Sequence, residues 1–348
     1  MATINQKKLL TGNEAAVLGA IDAGAEIMFG YPITPSTEIL EGWINAAGKN
    51  RNLKYLQTED ETSAGFGVIG AISAGTKAFT ATAGPGSILM QDPLSMAENL
   101  RLPFVTIMMQ RGGPSTGTVN YSQQEVNLSA FGGNGDGLRI VYSAANVEDM
   151  YRLTLLAFDT AWRYRFPTFL IGDGYISKMK KTVKLPEPLQ PIKPYKILKE
   201  EAKSTNLRNC YSSEEEFGKV LDANISDWKK IRNKIVLSEK YQIADARHLI
   251  VAHGSVAEAS KEAVDLLRSE NKKVGLFRAV SLHPFDTEAL QKSLHGVRSI
   301  FVIESSLNQF SRIVKYELYR DRVPIVEIAS PARGFTPEQI VERIKKEL

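Results

Sequence analysis

Short apolar runs alternate with stretches of helical period through the first half of the chain. Residues 25–31 (AEIMFGY), 77–81, 104–109, 138–142 and 168–171 are such runs. Most end at a glycine or proline cluster: YPITP, AGPGS, QRGGPSTG, IGDG. They predict buried strands. Residues 14–23 are alanine-rich and stop at Gly24. Residues 147–164 carry apolar side chains at helical spacing behind Asn146, a good cap for a helix start. The alternation predicts an α/β fold, a parallel sheet covered on both faces, with ligands at the carboxyl ends of its strands.

The pattern breaks near residue 186. LPEPLQPIKP places prolines at 186, 188, 191 and 194, the composition of an extended, semi-rigid spacer. A charged, helix-like segment follows over 212–240. Strand and helix patterns then resume, with strands expected over 248–252, 273–278, 300–303 and 323–328 and helices over 257–270 and 336–346. The expected organisation is a first domain over 1–185, a proline-rich and charged connector over 186–245, and a smaller second domain over 246–348.

Composition narrows the class. Among 348 residues, 43% are apolar and 24% charged, which excludes a disordered or fibrous chain. A net charge of +4 over so large a surface gives no footprint for nucleic acid. No apolar run approaches the ~20 residues of a membrane span, and the first residues lack the apolar core of a signal peptide. A single cysteine, Cys210, rules out an internal disulfide, a zinc knot or an iron–sulfur cluster held by this chain's thiols. The expectation is a cytoplasmic α/β protein with no metal centre of its own.

Candidate chemistry sits in the strand-end loops. In GYPITPSTEILEGW (30–43), Thr34 is placed to cap the next helix, with Pro35 in its first turn; the alternative is a rigid loop that offers Thr34 and Ser36 to a polar substrate. In QTEDETSAGFGVIGAISAG (57–75), Thr58 and Glu61 fit a capping box, which would make Glu61 a structural residue. The small residues after Glu61 suggest another role, since they admit a flat ligand or a second backbone. A carboxyl desolvated there shares a proton with a heterocyclic nitrogen. Glu59 and Asp60 are then solvated first-turn acids. Arg111 in QRGGPSTG is placed to pair with a carboxylate, against the alternative of a surface arginine beside a flexible loop.

Other motifs are decoys. ATAGPGS (81–87) lacks the P-loop pattern and is a glycine turn. GGNGDG (132–137) lacks the setting of a dinucleotide fingerprint. Gly172–Gly174 (GDG) is not followed by the paired asparagines of a thiamine diphosphate site, so Asp173 is a strand-end turn residue. The histidines at 248, 253, 283 and 295 form no ligand or triad pattern, and His253 and His283 are structural.

YPITPSTE, QTEDE, TATAGPGSILMQ and QRGGPSTG, in this order and spacing, resemble the α subunit of 2-oxoacid:ferredoxin oxidoreductases. LIVAHGSVAEASKEAVDLLR, VGLFRAVSLHPF and FVIESSLNQF resemble the transketolase-C-terminal-like second domain of that family. The likeness is weakest over about 195–245. It implies a pyrimidine-type thiamine diphosphate domain here. A β subunit would carry the diphosphate, Mg2+ and [4Fe-4S] sites, and small γ and δ subunits can accompany it. The implied reaction is CoA-dependent oxidative decarboxylation of a 2-oxo acid, with electrons passed to ferredoxin. By the same matching Glu61 holds the pyrimidine nitrogen, Pro32 and Ile33 line the cofactor, and Thr34 and Arg111 meet the 2-oxo acid and its carboxylate.

The family often has a histidine where Asn134 or Asp136 stands here, which bears on substrate choice. The first-half motifs lean toward 2-oxoglutarate and NLRNCYSSEEEFGKV toward branched-chain 2-oxo acids; 2-oxoglutarate ranks ahead. The rival readings are the β chain of a lipoamide-using 2-oxoacid dehydrogenase, which YPITP and RGGPSTG oppose, and a non-enzymatic nucleotide-binding module, which the missing phosphate motifs oppose.

Overall fold

The computed structural model describes residues 7–186, 190–197 and 207–348. Residues 187–189 and 198–206 of the expected connector, and the first six of the amino-terminal stretch, lie outside the described residues. The strands are β1 (Lys7–Leu10), β2 (Ile27–Gly30), β3 (Lys54–Gln57), β4 (Ala78–Thr82), β5 (Val105–Gln110), β6 (Ile140–Ser143), β7 (Thr168–Asp173), β8 (Lys181–Lys184), β9 (Ser238–Tyr241), β10 (His248–Ala252), β11 (Val274–Ala279), β12 (Ser281–His283), β13 (Ser299–Glu304) and β14 (Ile325–Ala329).

Seven of them form one sheet in the order β12-β6-β7-β5-β4-β2-β3, and five form a second in the order β14-β13-β10-β11-β9. The β1–β8 pair stands apart. In the large sheet all pairs are parallel except β12–β6. Strands β4, β5 and β7 are buried along their whole length, as a sheet covered on both faces requires. Because β2, β4 and β5 are parallel neighbours, the loops that leave them converge at one edge. The fold class is the expected one.

The strand-end punctuation places most elements well. The helix Val147–Tyr164 starts behind Asn146, whose side chain accepts from the Asp149 N–H at 3.1 Å. Four strands carry no apolar run to mark them, among them β8 (KTVK), which pairs with β1. β3 (KYLQ) is an edge strand with all four residues exposed. β12 (SLH) is three residues long and pairs with an element more than a hundred positions away. β9 overlaps the end of the segment expected to be helical over 212–240. That helix, Glu214–Ile235, stops early because Val236 is extended, while the Tyr142 hydroxyl donates to the freed Ile235 carbonyl at 3.1 Å.

The two halves of the sequence interlock. β12 completes the large sheet, and Arg278 pairs with Asp149. Gln123 donates to His253 O at 3.0 Å and accepts from Ser305 N–H at 3.0 Å. Gln309 donates to Gln124 O at 2.7 Å and accepts from Asn127 N–H at 3.0 Å. Residues 123–127 are thus held by the carboxyl-terminal half. His253 is fully buried and His283 half-buried, each fastened to its neighbours. His253 Nδ1 lies 3.0 Å from Ser143 Oγ, and burial pushes its pKa down to about 3. His283 Nδ1 lies 2.6 Å from Arg139 O, and its ring stacks on Trp228.

Arg139 is fully buried. It pairs with Glu98 at 3.1 Å and donates to Gln91 Oε1 at 2.7 Å, which ties the helix Gln91–Asn99 to β6 beneath the GGNGDG loop. Removing one partner of a buried ion pair strands the other charge. Glu98→Gln is therefore expected to cost about 3 kcal/mol. The double variant Glu98→Leu/Arg139→Met should recover most of that in urea unfolding. Equal loss in single and double variants would show that the pair contributes little.

Candidate active site

Four strand-end segments build the site, those after β2, β3, β4 and β5. The first leaves β2. Tyr31 and Pro32 are exposed, and Ile33 and Thr34 are half-buried. Thr34 does not cap the next helix, contrary to the sequence expectation. A turn intervenes, with the Ser36 N–H and Oγ both donating to Ile33 O at 2.9 and 2.8 Å, so the helix begins only at Thr37 and Pro35 precedes it. The Thr34–Pro35 bond is cis. The Thr34 carbonyl accepts from Arg111.

The second wall is the helix Glu61–Ser73. Its cap is Asp60, whose carboxylate accepts from the Ser63 N–H at 2.6 Å, and not the expected Thr58–Glu61 box. That bond holds the Asp60 carboxyl below the usual range. Asp60 is thus a working cap, whereas Glu59 is an exposed acid, as expected. With the capping role taken, Glu61 becomes the first helical residue and turns inward. It is 4% exposed, and its Oε1 finds no hydrogen-bond partner among the described residues. Burial raises its pKa, with Asp60 adding repulsion and Arg111 opposing.

The third loop, ATAGPGS, joins β4 to the short helix Pro85–Leu89, the glycine turn that the sequence predicted. A Cβ on Gly86 would lie 2.2 Å from Glu61 Oε1 and 2.3 Å from Thr82 Oγ1. Only glycine lets the carboxyl come so close. Gly84, at φ +53°, plays the same part for Arg111, whose Nε would lie 2.3 Å from a Cβ there.

Arg111 follows β5 and is 5% exposed, so it is not a surface arginine. Its Nη1 donates to Thr34 O at 2.8 Å, and its Nε has no partner among the described residues. Behind it stands Glu125, a residue that sequence reasoning missed. Its Oε2 accepts from the Arg111 N–H at 3.0 Å, and its Oε1 lies 2.7 Å from Ser87 Oγ. Burial raises its pKa to about 7 against the hydrogen bonds from Ser87, Arg111 and Gly84. No glycine or proline punctuates QQEVNL, so the sequence carried no signal for it.

Asp173 caps the helix Gly174–Lys178 by accepting from the Tyr175 and Ile176 N–H groups, in keeping with its reading as a turn residue.

Residues 18–226 match the family model described as pyruvate flavodoxin/ferredoxin oxidoreductase, thiamine diphosphate-binding. Residues 246–340 match pyruvate:ferredoxin oxidoreductase core domain II. The chain belongs to the 2-oxoacid:ferredoxin oxidoreductase family. Ketoisovalerate oxidoreductase subunit VorB of Methanothermobacter marburgensis is 31% identical over 88% of this chain and 89% of its own length. 2-Oxoglutarate synthase subunit KorA of Archaeoglobus fulgidus is 32% identical over 99% of this chain and the whole of its own. A solved 2-oxoglutarate:ferredoxin oxidoreductase from Magnetococcus marinus, with 2-oxoglutarate, coenzyme A and succinyl-CoA bound, superimposes on 99% of this chain with a TM-score of 0.90 at 26% identity; the chain spans 65% of that protein's length. No helix among the described residues is long and apolar enough to cross a membrane.

A buried carboxyl with an unpartnered oxygen is costly to ionise. Its folded pKa lies above the ordinary 4.5, so the native state loses stability as pH rises through the raised value. Glu61→Gln should then raise Tm by about 2–3 °C at pH 8, with a smaller gain at pH 5. A variant that melts below the wild-type chain at both pH values would show that Glu61 is a structural residue.

Proposed function

We propose that this chain forms the pyrimidine-facing wall of a shared thiamine diphosphate site in a CoA-dependent 2-oxoacid:ferredoxin oxidoreductase. Its substrate is a 2-oxo acid, with 2-oxoglutarate ahead of branched-chain 2-oxo acids. The observation that carries this reading is the lone Glu61 oxygen, buried against Gly86 and lacking a donor. A ring nitrogen that shares a proton satisfies it, and the burial that raises the Glu61 pKa favours such sharing.

When bound, thiamine diphosphate supplies the nucleophile for the 2-oxo carbon and the sink for the electrons left after decarboxylation. Pro32 and Ile33 line the ring's edge. Arg111, pinned by Thr34 O, presents its guanidinium to the substrate carboxylate, and the Thr34 hydroxyl meets the 2-oxo group. The likeness to the 2-oxoglutarate enzyme supports the first-ranked substrate, while the ketoisovalerate relative keeps branched-chain acids in the assay panel.

The remaining machinery belongs to partners: a β subunit with diphosphate, Mg2+ and [4Fe-4S] sites, possible small γ and δ subunits, and ferredoxin as acceptor, all in the cytoplasm. Exposed Tyr31, Phe66, Ile88 and Leu89 lie on the elements that bound Glu61. Apolar surface so placed supports a covering subunit. The residue ranges 1–185, 186–245 and 246–348 serve as the domain division of this reading.

Reconstitution with the β subunit and low-potential dye reduction, across 2-oxo acids with CoA, tests the reading. Glu61→Gln should leave assembly intact and lower kcat by at least about a hundredfold, since a positioned acid–base group supplies 10²–10⁴. Near-normal turnover would remove Glu61 from the chemistry. Arg111→Ala should lower kcat/KM for 2-oxo acids by about ten- to a hundredfold, the worth of a charge-assisted contact. An unchanged value would leave Arg111 a structural residue. This chain alone should reduce no dye; activity without a partner would overturn the shared-site reading.

A further inference from the structure

Glu125 takes no part in the chemistry above, yet it is buried at the junction of the two glycine loops. Ser87 Oγ lies 2.7 Å from Glu125 Oε1 and 2.6 Å from Gly84 O. One hydroxyl proton cannot serve two acceptors. Gly84 O already accepts from the Ser87 N–H at 3.0 Å, and a proton on Glu125 Oε1 gives each of the two short oxygen–oxygen contacts at Ser87 Oγ its own hydrogen. Glu125 then donates to Ser87 Oγ, and Ser87 donates to Gly84 O. Glu125 Oε2 still accepts from the Arg111 N–H. The neutral acid puts a proton in both contacts, whereas the carboxylate leaves Ser87 Oγ with one proton between two acceptors at 2.6 and 2.7 Å.

The surroundings agree. From β5 Glu125 meets Gln110, whose Oε1 accepts its N–H, and Arg111, the charged group that faces it. From the helix Pro85–Leu89 it meets Ser87, and from the next turn Ser129 donates to its carbonyl. Its neighbours Gln124 and Asn127 are fastened by Gln309, so the carboxyl cannot swing out to water.

We propose that Glu125 is a positioning residue whose neutral carboxyl joins the Gly84 and Arg111 loops and leaves Arg111 its full charge for a substrate carboxylate, so that ionisation of Glu125 weakens 2-oxo acid binding. This rests on the assignment of Arg111 to the substrate carboxylate. With its pKa near 7, Glu125 changes charge in the working range. Below that value Arg111 faces a neutral neighbour. Above it an anion stands beside Arg111 and opposes the incoming anion.

The test is the pH profile of KM in the reconstituted enzyme, with infrared difference spectra of this chain as a readout independent of activity. In the wild-type enzyme KM for 2-oxoglutarate should rise by about tenfold from pH 6 to pH 8.5, the scale of one buried charge acting on another. Glu125→Gln mimics the neutral acid, since its amide can donate to Ser87 and accept from Arg111. It should hold KM near the low-pH value throughout, while the profile of kcat keeps its wild-type shape. In the infrared the protonated-carboxyl band of Glu125, read as the wild-type spectrum minus that of Glu125→Gln, should be present at pH 6 and fade through neutrality. No such band in the wild-type chain at pH 6 overturns the proposal, as does a variant whose KM retains the wild-type pH dependence. If Glu125→Gln fails to fold, Glu125-selective isotope shift of the same band in the wild-type chain decides. If Arg111→Ala leaves KM unchanged while the band titrates, the substrate assignment fails and the neutral Glu125 stands.

Discussion

A carboxyl group pressed against a glycine, with one oxygen unsatisfied, is the constraint around which the rest of the site is arranged. Glu61 reaches that position because Asp60 takes over the cap one residue earlier, and because Gly86 has no side chain to refuse it. The sheet supplies the frame. β2, β4 and β5 run side by side in one direction, so the loops after them bring Thr34, Gly84, Gly86 and Arg111 together from positions far apart in the chain. A parallel sheet buried on both faces resists bending, which keeps short loops in register.

Charge is distributed sparingly in this crevice. Two carboxyls, Glu61 and Glu125, flank one guanidinium, and burial pushes both acids toward neutrality. If both were ionised, Arg111 would be more than balanced and the region would repel an organic anion. With both protonated, the cation is uncompensated and selects for one. In the proposed site, burial and not a lining of positive residues would set the sign that an organic anion meets.

Most of the frame was legible in the sequence because the strand ends are punctuated. The helix behind Asn146 and the turn at ATAGPGS appear where the residues say they should. Arg111 and Glu61 were singled out from the motifs that hold them. The acids at 59–61 show the limit of such reading. A shift of one residue in the helix start decides which is solvated, which caps and which is buried, and the sequence fits a cap at Thr58 as well as one at Asp60. Glu125 was invisible for a different reason. Its environment is made by residues 84, 87 and 111 and fixed by residue 309, so nothing within a dozen positions announces it. β1, β3, β8, β9 and β12 escaped because their partners, not their composition, make them strands.

The strand β12 carries a final consequence. It belongs by sequence to the carboxyl-terminal half but covers the margin of the amino-terminal sheet, where β6 would otherwise show a row of open amide and carbonyl groups. A polypeptide released or cut before residue 281 would present that row to every other copy of itself. During synthesis on the ribosome, the first sheet must therefore wait with a sticky seam until residues 281–283 have been made.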